Sequence, residues 1–283
     1  MPITITTLVE NTAGTPFTIG EWGQSLLVEA DGQKILFDTG PSALITKNAS
    51  ALGVDIATVT KIVLSHGHYD HTGGLQEVLT KIRESGQHPD GIEIIAHPDI
   101  FTPKHFYIKD FIEKYVGIPF PREELEALGA RFNLSEAPVK LSDNMLTTGE
   151  VEITVDFEKI DKDLHVKEGG TQVHDKLADD MGIIIKTDQG LVILLGCAHR
   201  GIVNTILHAQ KVTGIKDIYA VIGGTHLISA GTEQMQSTIQ ALKGFNIKKL
   251  GASHCTGPKS AAILAHEFEG AFFFNSAGTK TVL

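Results

Sequence analysis

The feature that most constrains this chain is the segment His66-Gly67-His68-Tyr69-Asp70-His71, which gathers three imidazoles and one carboxylate into six residues. It follows the apolar run 61–65 and precedes a Thr-Gly-Gly-Leu sequence, so we expect it to form a loop between a buried strand and a helix. Imidazole nitrogen and carboxylate oxygen suit zinc and comparable divalent ions. A solvated loop that is merely rich in histidine does not require this order of ligand types. The segment therefore predicts a metal site.

The spacing within this segment predicts two metal positions. Alternation lets His68 reach the same ion as His66, whereas Asp70 and His71 can turn toward a second ion.

A second motif lies about thirty residues upstream, where the apolar run 35–37 ends in Asp38-Thr39-Gly40. The two motifs together resemble the signature of the metallo-beta-lactamase superfamily, which has an apolar strand ending in Asp-x-Gly followed by H-x-H-x-D-H. The resemblance implies an α/β fold, a four-layer αββα sandwich with the metal site at one edge. It also implies that Asp38 supports the metal loop from behind.

The resemblance implies two more histidine ligands and, commonly, an aspartate that bridges both ions in a Gly-Asp pair. Here Cys197 follows Gly196, so the bridging acid is not found at the expected strand end. His199 is the preferred ligand there because it is an imidazole, and the Cys197 thiolate is the alternative, as a ligand or as a supporting group. His174 and His165 are further alternatives for this histidine.

Two histidines at equivalent strand ends compete for the last ligand position. His254 lies where the superfamily's final histidine usually lies, and His226 is either a ligand or a proton donor to the substrate. The expected ligand sets are His66, His68 and His199 for one ion, and Asp70, His71 and His254 for the other.

Apolar periodicity predicts two halves of similar design, each with neighbouring strands followed by alternating helices and strands. The first half is expected to contain strands at 3–9, 25–30, 34–38, 61–65 and 91–96 and helices at 42–52 and 74–84. The second is expected to contain strands at 151–157, 181–186, 190–195, 249–253 and 271–274, a strand ending at 223–226, and helices at 202–212, 232–243 and 259–269. Several strand ends thus deliver histidine to one edge.

Residues 98–148 interrupt this pattern and are dense in proline and aromatic residues, although aromatic residues make up only 6% of the chain. We expect an inserted cap that walls a substrate pocket, with a packed spacer as the alternative. Trp22 is expected to wall the cleft for a flat substrate or to lie in the core, and His105 is a further candidate for substrate contact. Residues 159–180 are polar and unpatterned and are expected to form a long excursion near the cleft or a mobile loop.

Composition limits the function classes. A chain of 283 residues with 42% apolar content can bury a large core, and we expect a single domain over 1–283. A net charge of −10 argues against a primary nucleic-acid or anionic-membrane surface, but it leaves room for a local basic pocket for a small anion. The N-terminus lacks secretory features and no apolar stretch approaches a membrane span, so we expect a cytoplasmic protein.

The two cysteines, Cys197 and Cys255, exclude a disulfide framework. They are either small buried apolar residues or part of the site. Each lies within two residues of a histidine, which favours a place for at least one of them in the active site.

These observations predict an enzyme that binds one or two divalent ions, zinc first, with iron and manganese as alternatives. The expected reaction is hydrolysis of a small ester, lactone or phosphodiester by a metal-activated water, with catalytic roles for Asp70 and His226. Segments 196–204, 223–226 and 253–257 resemble a subgroup named after the archaeal dihydropterin-ribofuranosylaminobenzene-phosphate synthase. A pterin transferase is therefore the alternative, and a metal-bound sensor of low turnover, favoured by the missing bridging acid, is the third. The expected partner is a small-molecule substrate, and the oligomeric state is left open.

Overall fold

The computed structural model describes residues 2–283. Its strands are, in chain order, β1 (Thr4–Val9), β2 (Ser25–Ala30), β3 (Gln33–Phe37), β4 (Lys61–Val63), β5 (Ile92–Ala96), β6 (Lys104–Ile108), β7 (Ile112–Tyr115), β8 (Ala130–Leu134), β9 (Met145–Thr147), β10 (Leu164–Glu168), β11 (Thr171–His174), β12 (Gly182–Thr187), β13 (Gly190–Leu195), β14 (Ile218–Gly224), β15 (Lys249–Ser253), β16 (Phe272–Phe274) and β17 (Lys280–Val282). Its α-helices are α1 (Leu44–Ala51), α2 (Tyr69–Thr72), α3 (Leu75–Ser85), α4 (Arg122–Ala127), α5 (Ile202–Thr213), α6 (Thr232–Gly244) and α7 (Pro258–Glu267).

The strands form two large sheets and one small sheet. The first large sheet has the order β17-β1-β2-β3-β4-β5-β8, and the second has the order β16-β15-β14-β13-β12-β9. The small sheet, which we call the cap sheet, has the order β11-β10-β6-β7. Antiparallel strands at one side and parallel strands at the other give each large sheet a mixed topology.

Three apolar clusters define the layers. Side chains such as Phe37 and Ile222 fill the space between the two large sheets. The outer face of the first sheet packs against α1, α3 and α4, with Leu79 among the contacts. The outer face of the second packs against α5, α6 and α7, with Leu242 among the contacts. Burial of each such side chain contributes about 1.5–3 kcal/mol to folding. This arrangement confirms the four-layer αββα sandwich.

Local sequence signals explain much of this pairing. Asp31 and Gly32 have φ values of 51° and 72° and join β2 to β3 in a two-residue hairpin, as an Asp-Gly pair favours. The hairpin predicted at 181–195 forms from β12 and β13. The predicted helices are present, with ends that differ by at most about two residues from those expected.

The prediction of a strand at 151–157 is wrong. The Asn204 side chain of α5 accepts hydrogen bonds from the backbone N–H groups of Thr154 and Val155, at 2.7 and 2.9 Å, so these donors bond to a helix and not to a strand. Of the alternating apolar residues, Val155 and Phe157 pack against the helical layer, whereas Ile153 is 48% exposed. The edge strand of the second sheet is instead β9, which pairs with β12.

The interval 98–148 does not form one separate cap. Its strand β8 pairs with β5 in the first large sheet, and β9 belongs to the second. The cap sheet combines the hairpin of β6 and β7 with a hairpin of β10 and β11 that lies inside 159–180, the region expected to be an irregular excursion. Strand β17, which the sequence pattern did not predict, pairs with β1. No helix within residues 2–283 is long and apolar enough to cross a bilayer.

Glu158 links the loop that precedes β10 to the start of α5. Its carboxylate accepts hydrogen bonds from the backbone N–H groups of Val203 and Asn204, at 2.9 and 2.8 Å. Burial raises the pKa of Glu158 from 4.5 to about 7 and outweighs the opposing effect of these hydrogen bonds.

We expect the raised pKa of Glu158 to make stability depend on pH. The folded state retains the proton that the unfolded state loses above its ordinary pKa of 4.5, so the stabilisation is complete below that pH and is lost as pH rises toward about 7. The free energy of unfolding should fall by up to about 3 kcal/mol across this interval. Urea denaturation of metal-free wild type and Glu158→Gln at pH 4.5, 5.5, 6.5 and 7.5 checks this. Parallel pH profiles for the two proteins would contradict the assignment.

Candidate metal centre

Histidines reach one edge of the sandwich from four strand ends. The loop 66–71 follows β4 and runs into α2. His199, His226 and His254 follow β13, β14 and β15, which are neighbouring parallel strands. Because parallel strands end at the same edge of a sheet, their carboxyl-terminal loops meet the metal loop there.

The first group of facing ligand atoms consists of His66, His68 and His199. Nε2 of His66 lies 2.9 Å from Nδ1 of His68 and 3.2 Å from Nε2 of His199. Burial lowers the pKa of all three histidines, to about 3 for His68 and well below the usual range for the other two. The buried Nε2 of His68 and Nδ1 of His199 have no hydrogen-bond partner. Neutral imidazoles that face one another in this way offer lone pairs to a cation.

The second group consists of Asp70, His71 and His254. Nε2 of His254 lies 3.2 Å from Nε2 of His71 and 3.3 Å from Oδ2 of Asp70. Burial alone would raise the pKa of Asp70, but the neighbouring His254 and His71 outweigh it and hold the pKa well below its usual range. This group therefore combines imidazole nitrogen with an ionised carboxylate.

Hydrogen bonds from behind orient these rings. Nδ1 of His71 lies 2.7 Å from Oδ2 of Asp38, and Nδ1 of His66 lies 2.9 Å from Oγ of Ser65, which itself donates to Asp38. Nδ1 of His254 lies 3.0 Å from Oδ1 of Asn11. In His66, His71 and His254 the Nδ1 atom thus has a hydrogen-bond partner, which turns Nε2 toward the centre. Burial lowers the pKa of His71, but Asp38 outweighs it and raises that pKa to about 9.

Cys197 lies between the two groups. Its Sγ is 3.1 Å from Nε2 of His71, and its contacts within 4.8 Å include ligand atoms of His66, His199 and His254. Burial and the neighbouring Cys255 raise the pKa of the Cys197 thiol. The sequence offers no carboxylate at this strand end, and the structure places a sulfur atom there. Imidazole, carboxylate and thiol groups converge on a buried point, which fits bound divalent metal ions.

Four residues in or beside the metal centre have an unusual backbone conformation. Asp38, Ala198, His226 and His254 all have positive φ values, between 49° and 61°. Non-glycine residues rarely adopt this conformation, and such strain tends to gather at functional sites.

His226 lies beside the first group. Its ring centre is 4.1 Å from that of His199, and its Nε2 is 3.9 Å from Oδ2 of Asp161. The latter distance is too long for a hydrogen bond but close enough for charge interaction. Burial lowers the pKa of His226, but Asp161 and Cys255 outweigh it and raise the pKa to about 10. The sequence carried no signal for Asp161, which lies in the segment expected to be irregular.

A cavity of about 210 Å³ opens onto both groups. It is lined by Trp22, His68, Tyr69, Asp70, Phe106, Lys114, Val116, Leu164, Cys197, His199, His226, His254 and Cys255. The structure places Trp22 here, with its ring centre 5.1 Å from that of His254. His105 is not among the lining residues, because its strand neighbour Phe106 faces the cavity instead.

The structure does not bring His165 and His174 to the centre. They pair with one another across β10 and β11 in the cap sheet, and Nε2 of His174 lies 3.0 Å from the carbonyl oxygen of Asp161. Cross-strand pairing in this hairpin accounts for their positions.

Comparison with known proteins agrees with this geometry. The family model of the metallo-beta-lactamase superfamily matches residues 23–177. This chain belongs to that superfamily. Relatives of this chain include a protein named as a synthase and a structure described as a metal-dependent hydrolase, and the chain is an enzyme whose histidine and cysteine side chains could hold divalent metal ions.

Three proteins that cover nearly the whole chain illustrate the likeness. The 7,8-dihydropterin-6-methyl-4-(beta-D-ribofuranosyl)-aminobenzene-5'-phosphate synthase of Methanocaldococcus jannaschii is 38% identical over 95% of this chain and 93% of its own length. A crystal structure described as a metal-dependent hydrolase of the beta-lactamase superfamily superposes with a TM-score of 0.82 and 26% identity, over 99% of this chain and 98% of that one. The metallo-beta-lactamase fold protein YhfI from Bacillus subtilis, at 14% identity and a TM-score of 0.60, covers 100% of this chain and 99% of its own and shares the fold.

We expect His199 to contribute more to metal content than Cys197. The imidazole faces His66 directly, whereas the buried thiol has to lose a proton before it can bind a cation. Elemental analysis of His199→Ala should therefore show a larger loss of metal than that of Cys197→Ser. If only the serine variant loses an ion, the thiolate is the ligand and His199 is not.

Proposed function

We propose that the protein is a hydrolase that holds two divalent ions, zinc in the first place, and acts on a small ester, lactone or phosphodiester. The observation that carries the proposal is the convergence of two ligand groups on one cavity. His66, His68 and His199 form one group, and Asp70, His71 and His254 form the other. Iron and manganese are the alternatives to zinc, since both accept imidazole and carboxylate ligands.

The side chains of the site have distinct roles in this proposal. Bound divalent ions supply Lewis acidity and activate water at neutral pH. The ionised Asp70 accepts a hydrogen bond from the attacking water and orients it, because its carboxylate lines the cavity. His226 lines the same cavity and is held in the protonated form by Asp161, so it can donate a proton to the leaving group.

A transferase that joins a dihydropterin to a ribofuranosylaminobenzene phosphate is the second candidate. Two observations favour it: the 38% identity to a synthase of that name, and the aromatic side chains Trp22, Tyr69 and Phe106 around the cavity, which suit planar rings. A metal-bound sensor of low turnover is the third candidate. It is supported by Cys197, which stands where the superfamily commonly has an aspartate that bridges both ions.

One set of incubations tests these candidates. Metal-loaded protein is incubated with a panel of esters, lactones and phosphodiesters, and separately with a dihydropterin diphosphate and an aminobenzene ribotide, with products identified by mass. The hydrolase predicts new acid and alcohol products that disappear in the His66→Ala, His68→Ala double variant. A coupled pterin product without hydrolysis of any panel member would overturn the hydrolase in favour of the transferase. Silence in both assays would favour the sensor.

A further inference from the structure

Lys114 is the one cationic side chain of Lys or Arg type among the residues that line the cavity. It lies on β7, and its Nζ is 5.9 Å from the centre of the Tyr69 ring. Within residues 2–283 no carboxylate lies within 4 Å of its ammonium group, although its neighbour Glu113 pairs with Lys167. The chain has a net charge of −10, and a cation that lines the cavity without a carboxylate partner can attract an anionic group of a ligand.

The fold fixes Lys114 relative to the metal loop. Lys114 pairs with Phe106 across β6 and β7, so both side chains project on the same face of the cap sheet. Directly after β7, the carbonyl oxygen of Val116 accepts a hydrogen bond from the backbone N–H of Tyr69 at 2.9 Å, and Gly117 bridges to His68. The cap sheet therefore places Lys114 and Phe106 next to the metal loop.

Aromatic and aliphatic side chains form another part of the cavity wall. Trp22, Tyr69 and Phe106 line the cavity together with Val116 and Leu164. Trp22 remains 46% exposed although it is the only tryptophan of the chain. Exposed aromatic surface beside a polar centre is typical of sites that stack planar ligands.

We propose that this cavity binds a planar aromatic molecule that carries an anionic group, with the ring against Trp22, Tyr69 and Phe106 and the anion on the Lys114 ammonium. This inference rests on the proposed function only in taking the cavity as the substrate site. An ammonium group offers three donors to a carboxylate or phosphate oxygen, and the exposed position of Lys114 keeps the gain in affinity modest.

Isothermal titration calorimetry with two matched probes tests the inference. Naphthalene-2-carboxylate and naphthalene-2-carboxamide share one ring system and differ in charge. We expect wild type to bind the carboxylate more tightly than the amide, in metal-free protein as well as in metal-loaded protein, and we expect Lys114 to account for about a two- to fivefold part of this preference. Lys114→Met should reduce the preference by that factor and leave amide binding unchanged, whereas Lys114→Arg should retain it.

Lys109→Met is the matched control, because Lys109 lies in the turn of the same hairpin, is exposed and does not line the cavity. It removes the same charge and should keep the preference. An equal preference in wild type and Lys114→Met would overturn the inference, as would an equal loss in Lys109→Met or a preference that appears only with metal. Because the probes are not hydrolysed, failure here leaves the hydrolase assay standing, and a negative hydrolase assay leaves this result standing.

Discussion

Replacing His66 and His68 together with alanine should remove at least one metal ion per chain and lower the hydrolytic rate by more than about 100-fold. Loss of an outer hydrogen-bond partner of a metal ligand already costs 10- to 100-fold, and this change removes two of the three imidazoles of the first group. Elemental analysis of purified protein gives the metal content, and the rate is measured on the panel member that wild type cleaves best.

The double variant His88→Ala, His266→Ala is the control for this experiment. It also removes two histidines, but neither of them lies near the cavity. It should retain the metal content and rate of wild type. Equal metal content in wild type and in the His66→Ala, His68→Ala variant would show that the metal is held elsewhere.

Replacing Lys104 with methionine should destabilise the metal-free protein by about 3–5 kcal/mol at pH 7. Lys104 is 1% exposed, and its Nζ lies 3.0 Å from Oδ2 of Asp175 and 2.9 Å from Oδ1 of Asp179. Asp179 in turn accepts a hydrogen bond from the backbone N–H of Gly67 at 2.8 Å. Removal of the cation would leave two buried carboxylates uncompensated directly behind the metal loop.

Urea denaturation at pH 7 and pH 5 measures this effect. Burial already raises the pKa of Asp179, and loss of the cation that opposes this shift raises it further. The folded variant then favours protonated carboxyl groups, so its deficit should shrink at the lower pH and grow as pH rises. The triple variant Lys104→Met, Asp175→Asn, Asp179→Asn should recover part of the stability because it carries no buried charge. A loss below about 1 kcal/mol for Lys104→Met would contradict a structural role for this buried charge cluster.

The resemblance carried by the 35–40 and 66–71 motifs implied the sandwich, and most of its elements were predictable because apolar periodicity and turn residues are local signals. The Asp31-Gly32 hairpin and the strand before the metal loop are examples. The segment 151–157 was misassigned because its alternation reflects packing against α5, a contact with a residue about fifty positions away. Periodicity records that one face is buried, but it does not record what covers that face.

The residues of the candidate site were likewise predictable only in part. The 66–71 loop, His199 and His254 were predictable because ligand types cluster in the sequence at strand ends, and the structure brings them together. Asp161, Lys104 and Lys114 were not predictable. Each of them contacts a partner that lies far away in the sequence, namely His226, Asp175 and Tyr69 respectively. The sequence pattern indicated one cap at 98–148 and did not indicate that strands in 164–174 belong to the same sheet.

The most direct test of the two-metal account is a crystal structure of zinc-loaded protein with anomalous data collected on both sides of the zinc edge. We predict two anomalous peaks about 3.5–4 Å apart, one among His66, His68 and His199 and the other among Asp70, His71 and His254. A single peak, or peaks away from these side chains, would contradict the account.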